Sequence, residues 1–133
     1  MRRSSAEEGK RWLEQALEDL DAARYNLAGG KFYLVCFLCQ QLSEKALKAY
    51  LYSRGEEIVL GHSVVSLCAQ ASVYDQGFSM VSDESGSLDG YYIPTRYPNG
   101  LPDSIPARVY AQKDALAALR AAEQVVAFVQ QRL

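Results

Sequence analysis

Residues 32–54, with the sequence FYLVCFLCQQLSEKALKAYLYSR, carry a broad helical repeat of apolar side chains. One stripe recurs every three or four positions and consists of Val35, Cys39, Leu42, Ala46 and Ala49. Three further side chains widen it, namely Cys36, Leu47 and Tyr50. A helix with so wide an apolar surface is expected to contact several neighbours. The segment therefore predicts the central helix of a helical domain, ended by Gly55.

A first helix is predicted before this central one. Ser4 or Ser5 can cap it, and a stripe of apolar side chains recurs along it at helical spacing: Trp12, Ala16, Leu20, Ala23 and Leu27. Gly29 and Gly30 are expected to end it, because glycine adopts the left-handed conformation at little cost. So tight a turn favours an antiparallel pair of long helices.

The second half of the chain is predicted to add shorter helices and one long loop. In chain order these are a helix at about 62–71, one short helix within 74–90 anchored by Phe78, Val81 and Leu88, a loop at 91–106 that holds all four prolines, and a final helix at about 109–133. The fold class is thus all-α, an up-and-down bundle of four to five helices. We expect residues 1–133 to form a single domain in which residues 1–5 are frayed.

Composition limits the classes of function. The chain has 133 residues and a formal net charge of −2, so no global basic field predicts DNA binding. Its apolar runs are shorter than the roughly 20 residues of a membrane span, and its first residues do not resemble a signal peptide. Three cysteines without a secretory signal favour free thiols in a reducing compartment, so we predict a cytoplasmic protein without a membrane partner.

Few residues offer catalytic or metal chemistry. The pair Cys36-x-x-Cys39 lies within the central apolar stripe and lacks a second ligand pair, which favours core packing over zinc. No Ser-His-Asp set or glycine-rich phosphate loop can be assembled, so we predict no catalytic residue and no metal site. The single histidine, His62, is either a capping and packing residue or a partner for a phosphate.

Basic and aromatic residues provide the candidates for ligand binding. Lys45 and Lys48 share a helix face near Arg54, either as a solvated surface or as an anion site. The loop at 91–98, YYIPTRYP, is dense in tyrosine around one arginine, which suits core sealing, a dimer contact or base stacking. The complete set of predicted ligand-binding residues is Lys45, Lys48, Arg54, His62, Tyr92, Arg96 and Tyr97.

Four short motifs in this order resemble the HEPN domain family. They are Arg11-Trp12-Leu13-x-Gln15-Ala16, Gln40-Gln41-x-x-Glu44-Lys45-Ala46-Leu47-Lys48-Ala49, Gly61-His62-Ser63 and Thr95-Arg96-Tyr97-Pro98. The resemblance covers nearly the whole chain and implies an up-and-down helical bundle that is often a homodimer.

Two branches of the family share features with the chain. The glutamine motif and the tyrosine loop resemble small stand-alone prokaryotic members, which implies a partner subunit of a minimal nucleotidyltransferase of the toxin–antitoxin type. The segments 35–39 and 96–106 resemble the C-terminal HEPN domain of sacsin, which implies nucleotide binding in a chaperone-related chain. Many members are metal-independent ribonucleases with an arginine followed by histidine after four to six residues. Here seven residues separate Arg54 from His62.

These observations lead to one prediction and two alternatives. We expect a non-catalytic HEPN module that homodimerises and binds a nucleotide such as ATP or GTP, without another cofactor. The alternatives are a ribonuclease that uses Arg54 and His62 across a dimer, and an interaction domain that docks a nucleotidyltransferase or a chaperone chain.

Overall fold

The computed structural model describes residues 3–133, and within them the regular structure is entirely helical. Its α-helices are α1 Ser5–Ala28, α2 Phe32–Ser53, α3 Val64–Ala71, α4 Phe78–Ser85, α5 Pro106–Val109 and α6 Gln112–Gln130. Two stretches of 3-10 helix lie between α4 and α5, at Gly86–Tyr91 and Pro98–Gly100. The predicted all-α bundle is confirmed, with the four-residue α5 as an addition.

The α1–α2 hairpin forms the frame of the bundle. Ser4 caps α1 by accepting a hydrogen bond from the Glu7 amide at 3.1 Å, and Gly30 makes the turn with φ +75°. The two helices approach closely at Gly9, where a Cβ would lie 2.9 Å from the Ala49 carbonyl oxygen. Of the segment 1–5 that was predicted to fray, residues 1 and 2 lie outside the described residues, and Ser5 is the first residue of α1.

Helix α2 is the centre of the core, as its sequence predicts. It contacts α1, α3, α5 and α6, and every residue of its predicted apolar face is buried. The cysteines of the Cys-x-x-Cys pair pack in this core, as does Cys68 from α3. Burial raises the pKa of Cys36 and of Cys68 to about 12 and also raises that of Cys39, so these thiols stay protonated at neutral pH.

The end of the proline-rich loop differs from the prediction. The final helix begins at Gln112 and not at Val109, because the chain first makes the separate turn of α5. Extended backbone at Tyr110 and Ala111 then interrupts the helix, and Asp114 accepts a hydrogen bond from the Ala111 amide at 2.8 Å. Between residues 3 and 133, no helix is long and apolar enough to cross a membrane.

Candidate functional site

The two lysines of the predicted anion site are each paired with a carboxylate. Lys45 Nζ lies 2.5 Å from Asp19 Oδ2 on α1, and Lys48 Nζ lies 3.1 Å from Glu44 Oε2 on the same helix. Lys48 is buried and its ammonium also lies 5.7 Å from the centre of the Trp12 ring. Both positive charges are therefore largely neutralised within the α1–α2 face.

Arg54 lies apart from the other candidates. It follows the last residue of α2, and its guanidinium lies 5.4 Å from the centre of the Tyr50 ring. It comes ten positions after Glu44, which is about 15 Å along the helix axis. Arg54 and His62 do not meet on one helix face in this chain.

His62 lies just before α3 and is held by α2. Its Nδ1 lies 3.0 Å from Glu44 Oε1, and its backbone carbonyl accepts a hydrogen bond from Gln40 Nε2 at 2.6 Å. The side chain is nevertheless 56% exposed. Ser63 and Asp89 cap α3 beside it, since Asp89 accepts from the Ser63 hydroxyl at 2.7 Å and from the Val64 amide at 2.6 Å. The backbone of His62 is thus held by Gln40 of α2, and the two residues that follow it are held by Asp89.

The tyrosine loop brings Arg96 to the same place. The Tyr92 ring is stacked on His62, with centroids 4.7 Å apart and an interplanar angle of 18°. The Arg96 guanidinium lies 4.4 Å from the centre of Tyr92, 4.9 Å from that of Phe37 and 5.2 Å from that of Tyr97. Arg96 Nε also donates to the Tyr92 carbonyl at 2.7 Å. We call these five residues the His62–Arg96 surface.

An open apolar groove continues from Arg96. It has a volume of about 510 Å³ and lies between the first turns of α2 and the loop that leads into α5. Tyr33 and Phe37 line one side, and Pro98, Ile105 and Pro106 line the other. A flat apolar group bound in this groove would lie next to a guanidinium, which suits a ligand with an aromatic part and an anionic part.

The sequence model of the HEPN domain matches residues 10–132. The chain belongs to the HEPN family. Among the solved structures that it resembles are TT1696 and ST0689, and no curated protein matches it. The protein TT1696 from Thermus thermophilus is 37% identical, with a TM-score of 0.88 over 94% of this chain and 98% of that one. The protein ST0689, an archaeal HEPN homologue, is 31% identical, with a TM-score of 0.71 over 99% of this chain and 98% of that one.

The structure of this HEPN chain thus divides the seven predicted ligand-binding residues into three groups. His62, Tyr92, Arg96 and Tyr97 come together, the two lysines lie in carboxylate pairs, and Arg54 stands alone at the end of α2. The sequence did not point to Phe37, which contacts Arg96, or to Glu44, which bonds to the His62 ring. The spacing of four between Glu44 and Lys48 predicts an ion pair on one helix. No short-range sequence pattern predicts the contact between Glu44 and His62.

Proposed function

We propose that this HEPN chain is a non-catalytic module that homodimerises and binds a nucleotide or similar phosphate ligand at the His62–Arg96 surface. The observation that carries the proposal is the arginine placed against three aromatic rings beside an exposed imidazole. A guanidinium has five N–H donors, and the bond to the Tyr92 carbonyl uses one of them. The remaining N–H donors can bind phosphate oxygens in a bidentate manner.

The surface offers two positions at which the aromatic part of the ligand can bind. Tyr97 is 49% exposed and can stack on a base, and the groove beside Phe37 can enclose one. Neither place carries a set of hydrogen-bonding side chains that would read the edge of one base. We therefore expect little selectivity between ATP and GTP, and binding that weakens as salt screens the charge of Arg96.

Calorimetric titration with ATP and GTP tests this function. Arg96→Ala should weaken binding at least tenfold, because a hydrogen bond to a charged group contributes about 1.5–3 kcal/mol. Arg54→Ala is a matched control, since this arginine also lies over a tyrosine ring but away from the surface. No heat with either nucleotide at millimolar concentration, or an equal loss in both variants, would refute the proposal and favour a module that docks a protein.

The dimer part of the proposal is supported by exposed apolar side chains, of which Ile105 lines the groove. Ile93, Ile105, Val109 and Leu116 are between 38% and 45% exposed. Such side chains are typical of the buried centre of an interface. Light scattering should give the dimer mass, and Ile105→Asp should lower it towards the monomer. Ile58→Asp, on the loop before α3 and 74% exposed, is the control that should leave the mass unchanged. A monomeric wild-type chain at high micromolar concentration would refute this part.

One observation favours RNA cleavage as a second candidate function. An exposed imidazole held at Nδ1 by a buried carboxylate is an arrangement that suits a general base. We nevertheless expect no cleavage above background, because Arg54 does not join this histidine and the family spacing is absent. RNA cleavage by the wild-type chain that is lost in His62→Ala would make the ribonuclease the correct function.

A further inference from the structure

The imidazole of His62 is held at one of its two nitrogens. Nδ1 bonds to Glu44 Oε1, whose partner oxygen Oε2 accepts from Lys48 Nζ. Within residues 3–133, no hydrogen bond is made at Nε2, and the side chain is more than half exposed. The stacked Tyr92 ring fixes the plane of the imidazole. Nε2 is thus the polar atom that this side chain presents to a ligand.

The chemistry of Glu44 determines which nitrogen carries the proton when the His62 ring is neutral. An ionised carboxylate can only accept hydrogen bonds, and this one is bonded to an ammonium on its other oxygen. Nδ1 must therefore be the donor. A neutral imidazole carries a single N–H, so Nε2 has a lone pair and accepts. Glu44, which is only 7% exposed, thus sets the hydrogen-bonding character of an atom on the surface without touching the ligand itself.

A phosphate oxygen is a poor partner for such an acceptor, whereas a hydroxyl or amino group is a good one. Arg96 has the opposite character, because a guanidinium only donates. Both groups contact the same Tyr92 ring, at 4.7 Å and 4.4 Å from its centre. The His62–Arg96 surface therefore presents a hydrogen-bond acceptor, His62 Nε2, and a group of donors, the Arg96 guanidinium, that both pack against Tyr92.

We propose, on the basis of the function proposed above, that Glu44 is a positioning residue that makes His62 Nε2 a hydrogen-bond acceptor. The ligand class follows from this role: a phosphate ester with a hydroxyl or amino donor near its phosphate. Arg96 takes the phosphate, and His62 takes the donor. A nucleotide has this chemistry, and a bare polyphosphate lacks it.

Nitrogen NMR of the ligand-free chain tests the positioning role directly. His62 is the only histidine, so the ring gives a single set of signals. We expect the neutral ring to be protonated at Nδ1 and unprotonated at Nε2. Glu44→Gln should lose this preference, because an amide can donate as well as accept. A wild-type ring protonated mainly at Nε2 would overturn the proposal, and this spectrum decides the matter even if the variant does not fold.

Calorimetry with ATP and with tripolyphosphate tests the ligand class. His62→Phe keeps a flat ring against Tyr92 and removes the acceptor. It should weaken ATP binding about fivefold, the value of one hydrogen bond, and leave tripolyphosphate binding unchanged. An equal loss for both probes would overturn the assignment. If the wild-type chain binds neither probe, the proposed function and its ligand class both fail, while the NMR result still decides the role of Glu44.

Discussion

Replacing Gly9 by alanine tests the close approach of α1 and α2 that frames the bundle. The new Cβ would lie 2.9 Å from the Ala49 carbonyl oxygen and 3.0 Å from Ser53 Cβ, so backbone has to move. Overpacking of this kind costs about 1–3 kcal/mol, and the better helix propensity of alanine offsets about 1 kcal/mol. We expect a net loss of about 1 kcal/mol in the free energy of unfolding. In a domain of this length that lowers Tm by about 4 °C.

Urea unfolding followed by circular dichroism measures this loss. Gly90→Ala is the matched control, because a Cβ there meets nothing within 4 Å. It should be neutral or stabilise the chain by about 0.4–1 kcal/mol through the unfolded state. A Gly9→Ala variant as stable as the wild type would refute the reasoning. The gain in helix propensity would then offset the cost of the steric contact, and the two helices would be free to move apart.

Three further predictions concern stability and thiol chemistry. The three cysteines should not react with a thiol reagent in the native state and should react fully in urea, because burial raises their pKa; rapid native labelling would contradict this. Lys48→Met should lower the free energy of unfolding by about 3 kcal/mol, because it leaves the buried Glu44 carboxylate without its ammonium partner. Lys45→Met removes one member of a partly exposed pair and should cost less than about 1 kcal/mol. Equal losses in the two variants would be evidence against this. The hydrogen bond from Arg132 holds the pKa of Asp75 below its usual value. This contribution is present above the unfolded pKa and lost as pH falls below about 4, so the stability difference between wild type and Asp75→Asn should shrink there and not at higher pH.

The sequence predicted the three long helices and the two eight-residue helices α3 and α4, but it did not predict the four-residue α5 or the buried face of every helix. In α2 the repeat runs over six turns, so one face is unmistakable and all of it is buried. In the eight-residue α3 the apolar side chains do not mark one face, because Val65 is 47% exposed while Val64 and Leu67 are buried. Leu116 on α6 is 42% exposed although it is apolar, because an apolar repeat does not show where the neighbouring helices end.

The contacts within the tyrosine loop were predictable from the sequence, whereas the ion pairs of the two lysines were not. Tyr92 and Arg96 are four residues apart in one turn, so local spacing already favoured their contact. The charge of Lys45 is neutralised by Asp19, 26 residues earlier, and no local pattern reveals that pair. The stacking of His62 on Tyr92 likewise joins residues 30 positions apart, which only the packing of α3 against the loop establishes.

Under the proposed function, this division leaves Arg96 as the positive charge that is available to the ligand. Both lysines of α2 are paired with carboxylates: Lys45 bonds to Asp19 of α1, and Lys48 bonds to Glu44, which in turn bonds to His62. Arg96 lies on the tyrosine loop, and its guanidinium lies 4.9 Å from the centre of the Phe37 ring of α2. A guanidinium that packs on a ring can still donate hydrogen bonds from its edge. We therefore expect substitutions in the loop to alter the proposed ligand binding while the buried pairs of α2, and with them the bundle, stay intact.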